Sequence, residues 1–314
     1  MNIFVTGGRG YKGQALCRAL VAKGHQVTSL DLGWFNSPEM LDFGVNDIIG
    51  STLDITASDL SGVDVIIHLA AVANDPSGDI NPKLTWETNV LATNKIVVEA
   101  IKAGVPRFIF ASSGSVYGIQ NVKHVKEEIE PIPISDYNKT KWIGERVLQS
   151  YQDQISLQIV RPGTVCGLSP RQRFDVVVNL LCEQAITNGK LIIYGGEQQR
   201  PHIHIDDMCS VYLFLLENPN LQGIFNAAFE NLSVLELAKF IAEKFDVTMQ
   251  FTKSTDPRSY RMNSDKLLSV GFVPRKSVEA AVVELGDALL NGSIAFSEKN
   301  YNVKWMQHNL SNNL

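Results

Sequence analysis

The sequence predicts an α/β protein built on a doubly wound parallel sheet, and three observations carry that prediction. Short β-branched or aromatic runs alternate with longer helical stretches through the first half of the chain, the pattern that lays helices on both faces of a parallel sheet. The run Val63–Leu69 is almost continuously apolar, as a strand buried on both faces must be. A glycine-rich turn separates the first strand from the first helix.

Taken in order, Ile3–Val5 is the first strand. From Gln14 to Lys23, Leu16, Ala19 and Leu20 share a face at i, i+3, i+4 spacing, and Gly24 ends that helix. Val27–Leu30 and Val63–Leu69 return as strands. A helix follows from about Thr88 to Ala103, stopped by Gly104 and Pro106. Arg107–Ala111 and Leu157–Val160 are two further buried strands, with a helix from about Tyr137 to Tyr151 between them. Beyond Arg161 the rhythm changes. Ser169-Pro170 and Asn188-Gly189 bracket a helix, Leu191–Tyr194 is a short strand and Gly195-Gly196 a turn. Helices centred on Met208–Leu216, Val234–Lys244 and Val278–Leu290 follow, separated by strands such as Ile224–Asn226.

Composition excludes several classes. With 314 residues, 28 basic and 33 acidic side chains and a net charge of −5, the chain has no electrostatic reason to bind a nucleic acid, which calls for a basic patch or stripe. No uninterrupted apolar run reaches the roughly 18 residues of a membrane span. The N-terminus enters a strand without a charged leader, so a cytoplasmic protein with no membrane partner is expected. Cys17, Cys166, Cys182 and Cys209 are far apart and form no CxxC pair, the pattern of buried thiols rather than of a zinc site or disulfide framework.

The turn Gly7-Gly8-Arg9-Gly10-Tyr11-Lys12-Gly13 contains both G-x-G-x-x-G and G-x-x-G-x-x-G. Its glycines provide a tight turn, close backbone approach to a pyrophosphate and close packing of helix on strand, with the helix N-terminus facing the phosphates. Gly7, Gly10, Tyr11, Lys12 and Gly13 are therefore candidate cofactor contacts. Asp31 ends the second strand 18 residues after Gly13, where a carboxylate accepts from the adenosine ribose and repels a 2′-phosphate. That favours NAD, while Arg9 leaves an NADP reading open. The sheet is on this basis of the Rossmann type.

A second constellation is Tyr137-x-x-x-Lys141, preceded by Ser113 and Ser115 at the end of the strand Arg107–Ala111. Four residues apart on a helix, the phenol and ammonium share a face. A cationic Lys141 is expected to draw the phenol pKa from about 10 towards neutrality, as a general base or acid needs. Ser113 can hydrogen-bond the same substrate oxygen.

Together these stretches resemble the extended short-chain dehydrogenase/reductase family, the nucleotide-sugar epimerases and dehydratases, over nearly the full length. TGGRGYKG (6–13), Asp54-Ile55, HLAA (68–71), Asn89, SSGSVYG (112–118), YNKTK (137–141), RPGTVCG (161–167) and RPHIHIDD (200–207) carry the match. The resemblance implies that Asp54 and Ile55 sit at the adenine, that Leu69, Ala70, Ala71 and Pro162 line the cofactor, that Asn89 orders the strand ends, and that Lys141 also binds the nicotinamide ribose. It implies a nucleoside-diphosphate sugar as substrate, with Ser113, Ser115, Thr164, Arg200 and Arg258, the last in Asp256-Pro257-Arg258, as its contacts. Guanidinium forks suit a pyrophosphate. Arg171 and Arg173 read instead as solvated surface residues. The resemblance also implies a homodimer in which the Asn89 and Tyr137 helices pack into a four-helix bundle. It divides the chain into a dinucleotide domain, residues 1–165 with about 200–230 returning through strands near His202–Ile205 and Ile224–Ala227, and a smaller α/β substrate domain, 166–199 with 231–314.

Departures from the family pattern narrow the reaction. Relatives that dehydrate a 4-keto sugar carry an Asp-Glu pair directly after the catalytic Ser or Thr, and decarboxylating relatives use a Glu in the same loop. Here those positions are Gly114 and Ser115, neither of which transfers a proton at neutral pH. His202, His204, Asp206 and Asp207 read as a paired strand leading to a helix cap at Asp206 or Asp207 rather than as a metal site, and His25 and His68 read as structural. The expected activity is 4-epimerisation of a sugar nucleotide through transient oxidation. The alternatives are a 4-dehydrogenase or 4-ketoreductase without epimerisation, for which Gly167–Arg173 resembles heptose-nucleotide dehydrogenases, and a non-catalytic dinucleotide sensor.

Overall fold

Seven of the strands among the described residues form one parallel sheet in the order β10-β6-β5-β4-β1-β2-β3. In chain order the strands are β1 (Asn2–Thr6), β2 (Gln26–Asp31), β3 (Val45–Ile49), β4 (Val65–His68), β5 (Arg107–Ala111), β6 (Ser156–Pro162), β7 (Thr164–Cys166), β8 (Lys190–Tyr194), β9 (Gln199–His204), β10 (Gly223–Ala227), β11 (Glu230–Ser233) and β12 (Thr248–Thr252). The computed structural model describes residues 1–35, 43–120, 122–254, 258–294 and 296–310.

The strand order reverses between β1 and β4, both hydrogen-bonded to each other yet continuing in opposite directions across the sheet. Ligand crevices form outside the carboxyl ends of strands at such a point. Ile66, Ile67, Ile109 and Phe110 have almost no exposure, as the apolar runs required. β3 was not legible: Asn46 and Asp47 interrupt its hydrophobic pattern, because it is an edge strand paired only with β2 among the described residues.

The first helix is Tyr11–Ala22, starting inside the glycine turn with Gly10 as its cap, three residues before the apolar periodicity begins. The stretch expected as one helix from Thr88 is a π-turn, Glu87–Leu91, running into the helix Ala92–Ala103, which Gly104 ends in a left-handed conformation. The helix carrying Tyr137 spans Asp136–Gln149, and Ser135 caps it by accepting from the Asn138 N–H at 3.2 Å.

One strand lies elsewhere than expected. β10 joins the large sheet beside β6, but β9, with His202 and His204, pairs with β7 and β11 in a separate three-stranded sheet. β6 has one edge left after β5, and β10 fills it, so β9 pairs with the short β7 that continues from β6 through Gly163. The helix after β9, Ile205–Glu217, nonetheless returns to pack on Tyr11–Ala22 in the main core. A second core joins the helices Val177–Asn188, Val234–Phe245 and Val278–Leu290. All four cysteines are buried thiols. No helix among the described residues is long and apolar enough to cross a membrane.

Candidate active site

A cavity of about 460 Å³ lies at the strand ends where the sheet order reverses. The glycine turn forms one wall, with Gly7, Gly10, Tyr11, Lys12 and Gly13, and Leu69, Ala70 and Ala71 after β4 form the next. Ser113, Ser115 and Tyr137 follow, and Pro162, Thr164, Arg200 and Arg258 close the far side. Asp256 and Pro257 lie outside the described residues.

The glycines are required by contact. A side-chain carbon on Gly7 (φ +75°) would come within 2.7 Å of the Ala70 nitrogen, and one on Gly13 would overlap the Gly7 carbonyl oxygen. The turn therefore presents bare backbone to the cavity at a helix N-terminus, which fits a pyrophosphate. Asp31 accepts from the Arg9 N–H at 3.1 Å and the Gly33 N–H at 2.8 Å. Burial pushes its carboxyl up, against those two N–H groups. Asp31 lines the cavity, and a carboxylate has acceptor capacity beyond two N–H groups for ribose hydroxyls. The Arg9 guanidinium pairs with Asp47 of β3. These residues fit NAD.

Asp54 and Ile55 do not reach this wall. Ser51, Thr52 and Leu53 line it instead, because Thr52–Asp54 form a 3₁₀ turn and Ile55 packs into the core, 4% exposed. Asn89 lies behind the wall and organises it. Its Oδ1 accepts from the Val72 N–H at 2.8 Å, and its Nδ2 donates to the Val72 carbonyl at 3.1 Å and the Thr140 hydroxyl at 3.0 Å. One amide thus fastens the loop after β4 to the helix of Tyr137.

Ser113 caps the 3₁₀ turn Gly114–Tyr117, and its hydroxyl lies 2.7 Å from that of Ser115. Ser113 and Tyr137 line the same cavity. The expectation that Lys141 draws the phenol down is corrected. Burial pushes Tyr137 up to about 12, opposed by Ser113 and Arg173, with Asp75 adding to the rise. The Lys141 Nζ donates to the Ala111 carbonyl at 2.8 Å. Burial first, and the Lys12 charge second, push Lys141 down to about 7, against Glu145. Lys12 is pushed down to about 8 by burial and by Arg173. Lys12, Lys141 and Arg173 are thus coupled cations around the glycine turn and the tyrosine.

Arg171 and Arg173 are not solvated. They are 5% and 8% exposed and line the cavity, because the loop after β7 folds back over it. Arg173 pairs with Asp175. Nothing periodic marks this loop in the sequence; its only signal was its place just past the end of β7. Arg200 donates to the Arg258 carbonyl, and Arg258 pairs with Asp75, whose other oxygen accepts from Ser135. The two arginines are thereby brought together on the cavity wall. His204, not Asp206 or Asp207, caps the following helix: its Nδ1 accepts from the Asp206 N–H at 3.1 Å and its Nε2 faces Glu284 at 3.1 Å. Lys276 holds the other Glu284 oxygen at 2.7 Å, so the grouping of His204, Asp206 and Glu284 already carries hydrogen bonds of its own.

Comparison with known proteins places this geometry. The profile of the NAD dependent epimerase/dehydratase family matches residues 3–228. The chain is 33% identical over 211 residues, 66% of its length, to an uncharacterized protein y4nG of Sinorhizobium fredii, of which the match spans 51%. It is 32% identical over 262 residues to an uncharacterized UDP-glucose epimerase YtcB of Bacillus subtilis, covering 77% of this chain and 82% of that protein. Among solved structures, UDP-glucuronic acid 4-epimerase from Bacillus cereus, in complex with UDP-glucuronic acid and NAD, superposes with a TM-score of 0.83 at 27% identity, covering 93% of this chain and 99% of that one.

Proposed function

This chain belongs to the NAD dependent epimerase/dehydratase family, and we propose that it is a 4-epimerase of a nucleoside-diphosphate sugar, working through transient oxidation at C4. One observation carries the reading: a cavity joins the glycine turn and Asp31 to the Ser113–Tyr137 pair and on to Arg200 and Arg258. Dinucleotide, reacting centre and sugar-nucleotide pyrophosphate each have a chemically suited wall in it.

The glycine turn, Lys12 and Asp31 would hold NAD, which when bound supplies the hydride acceptor. Tyr137 takes the proton from the sugar C4 hydroxyl, and Ser113 donates a hydrogen bond to that oxygen as charge develops. Because burial makes the phenol a poor acid, Ser113 and Arg173, the two groups that oppose the rise, are assigned the task of stabilising its phenolate. As Tyr137 takes the hydroxyl proton, the C4 hydride would pass to bound NAD; Tyr137 would return the proton to the same oxygen as the hydride comes back to the other face of the keto sugar.

Packing counts against dehydration. A side-chain carbon on Gly114 would overlap the Met262 sulfur and come within 3.0 Å of the Pro162 carbonyl, so the carboxylate that dehydration needs there has no room. A homodimer through the Ala92–Ala103 and Asp136–Gln149 helices is part of the proposal, supported by Leu91, 56% exposed where the first of these helices begins. Residues of the small sheets, with 166–199 and 231–314, are assigned to sugar-nucleotide binding.

The test is incubation of the purified protein with UDP-, GDP-, CDP- and dTDP-hexoses and heptoses. A product of unchanged mass and inverted C4 is expected. NADH accumulating beyond enzyme stoichiometry would instead establish the 4-dehydrogenase.

A further inference from the structure

Three stretches distant in sequence build a roof over the cavity. Trp34 and Phe35, just past β2, line it. Trp305, on the helix Asn302–Leu310, stacks on Trp34 with ring centroids 5.3 Å apart and meets Phe35 edge-on at 5.2 Å. Arg171 lies over the Phe35 ring, its guanidinium carbon 3.9 Å from the centroid. Its Nη2 donates to the Lys299 carbonyl at 2.7 Å and to Asn302 Oδ1 at 2.6 Å.

The roof is tied down at both ends. On one side the Ser169 hydroxyl donates to the Tyr11 carbonyl at 2.7 Å and the Tyr11 hydroxyl to the Gly167 carbonyl at 2.8 Å, lacing the Arg171 loop to the glycine turn. On the other, the Asn302–Leu310 helix packs on the helix Asp75–Ile80. Asp75 lines the opposite part of the cavity.

Arg171 is the inner face of this assembly. It is 5% exposed, yet its Nε–H has no acceptor among the described residues. A buried donor on a charged group is costly unless something accepts from it. Burial and then the Arg173 charge push the guanidinium down to about 9, opposed by Asp175 and by Asp31, and Arg171 and Asp31 line the same cavity.

We propose that Arg171, Phe35, Trp34 and Trp305 form a clasp over the adenosine half of the dinucleotide. The Arg171 Nε–H donates to a ribose or phosphate oxygen of the bound dinucleotide, and the stacked rings fasten that contact to the C-terminal helix. Release then requires the helix to lift, so NAD stays through many turnovers. Retention suits a redox-neutral cycle and obstructs an enzyme that must exchange NADH at every turnover. The inference rests on NAD occupying the cavity and not on the C4 chemistry.

The experiment loads the full-length protein with NAD and follows its exchange against labelled NAD. Exchange from Trp305→Ala and from Arg171→Met should be at least about tenfold faster than from the parent, appearing in the off-rate, while Trp305→Phe restores slow exchange. Independently of any variant, NAD should slow amide hydrogen exchange across residues 302–310 of the parent protein. Exchange rates within about twofold of the parent in both variants, with native circular dichroism, overturn the clasp, as does unchanged protection of 302–310. A parent protein that binds no NAD at all overturns the dinucleotide reading itself, a distinguishable result.

Discussion

Glu145 and Arg161 form a buried ion pair, Nε to Oε1 at 2.9 Å and Nη2 to Oε2 at 2.6 Å. The Ser112 hydroxyl donates to the same carboxylate, and Arg161 Nη1 donates to the Tyr117 hydroxyl at 2.8 Å, which in turn donates to Asn226 at 2.8 Å. The network joins the Tyr137 helix to β5, β6 and β10. Removing one partner strands the other charge, at a cost of about 3–5 kcal/mol. Arg161→Met should lower stability by that order in urea unfolding, and the double variant with Glu145→Met should recover part of it. A single variant as stable as the parent contradicts the pair's structural role.

Tyr137 is the proposed proton acceptor. Tyr137→Phe should reduce turnover by at least about a hundredfold, the scale of general acid–base catalysis, while calorimetry still shows NAD binding. Retained turnover would assign the proton transfer elsewhere.

Gly13 tolerates no side chain, since its added carbon would meet the Gly7 carbonyl, a backbone atom that cannot rotate aside. Gly13→Ala should open the glycine turn and abolish measurable NAD binding. An affinity equal to the parent's would mean that the turn relaxes and that its tight geometry is dispensable.

Arg258 pairs with Asp75 and lines the side of the cavity proposed for the sugar nucleotide. Arg258→Met should raise KM for the sugar nucleotide about tenfold or more, the scale of a charge-assisted contact, and leave NAD affinity unchanged. An altered NAD affinity with an unchanged KM would reverse the assignment of the two ends of the cavity.

His68 and His202 should make the fold acid-labile. Burial pushes both down to about 3, assisted by the Lys141 charge for His68 and the Arg200 charge for His202. Between that value and the ordinary 6.5, the unfolded chain binds protons that the folded chain refuses. Stability is therefore full above about pH 6.5 and is lost progressively as pH falls towards 3, at about 1.4 kcal/mol per unit and histidine. Urea midpoints should fall steadily below about pH 6. Histidine ring signals that titrate normally near 6.5 at these two positions would contradict it.

The alternation of apolar strands and amphipathic helices, and the glycine turn with Asp31 behind it, were legible because they are local. A period of two or 3.6, or a turn that only glycine can make, leaves its mark within a few residues. Ser113, Tyr137 and Lys141 were legible as types at spacings. The direction of the Lys141 ammonium, towards the Ala111 carbonyl, was not, since a helix places a side chain on a face without choosing its hydrogen-bond partner. β3 escaped because an edge strand tolerates polar residues, and β9 was misplaced because strand partnership depends on which edges other strands have already filled. Arg171 and Arg173 look like any surface arginines in the sequence. Only the folding of their loop between the glycine turn and the Asn302–Leu310 helix buries them over the cavity. The sequence by itself determined most of the secondary elements, the glycine turn and the spacing of Ser113, Tyr137 and Lys141; the tertiary structure alone decided which charges share a low-dielectric space and what closes over them, because burial and electrostatic coupling arise between segments that the chain holds far apart.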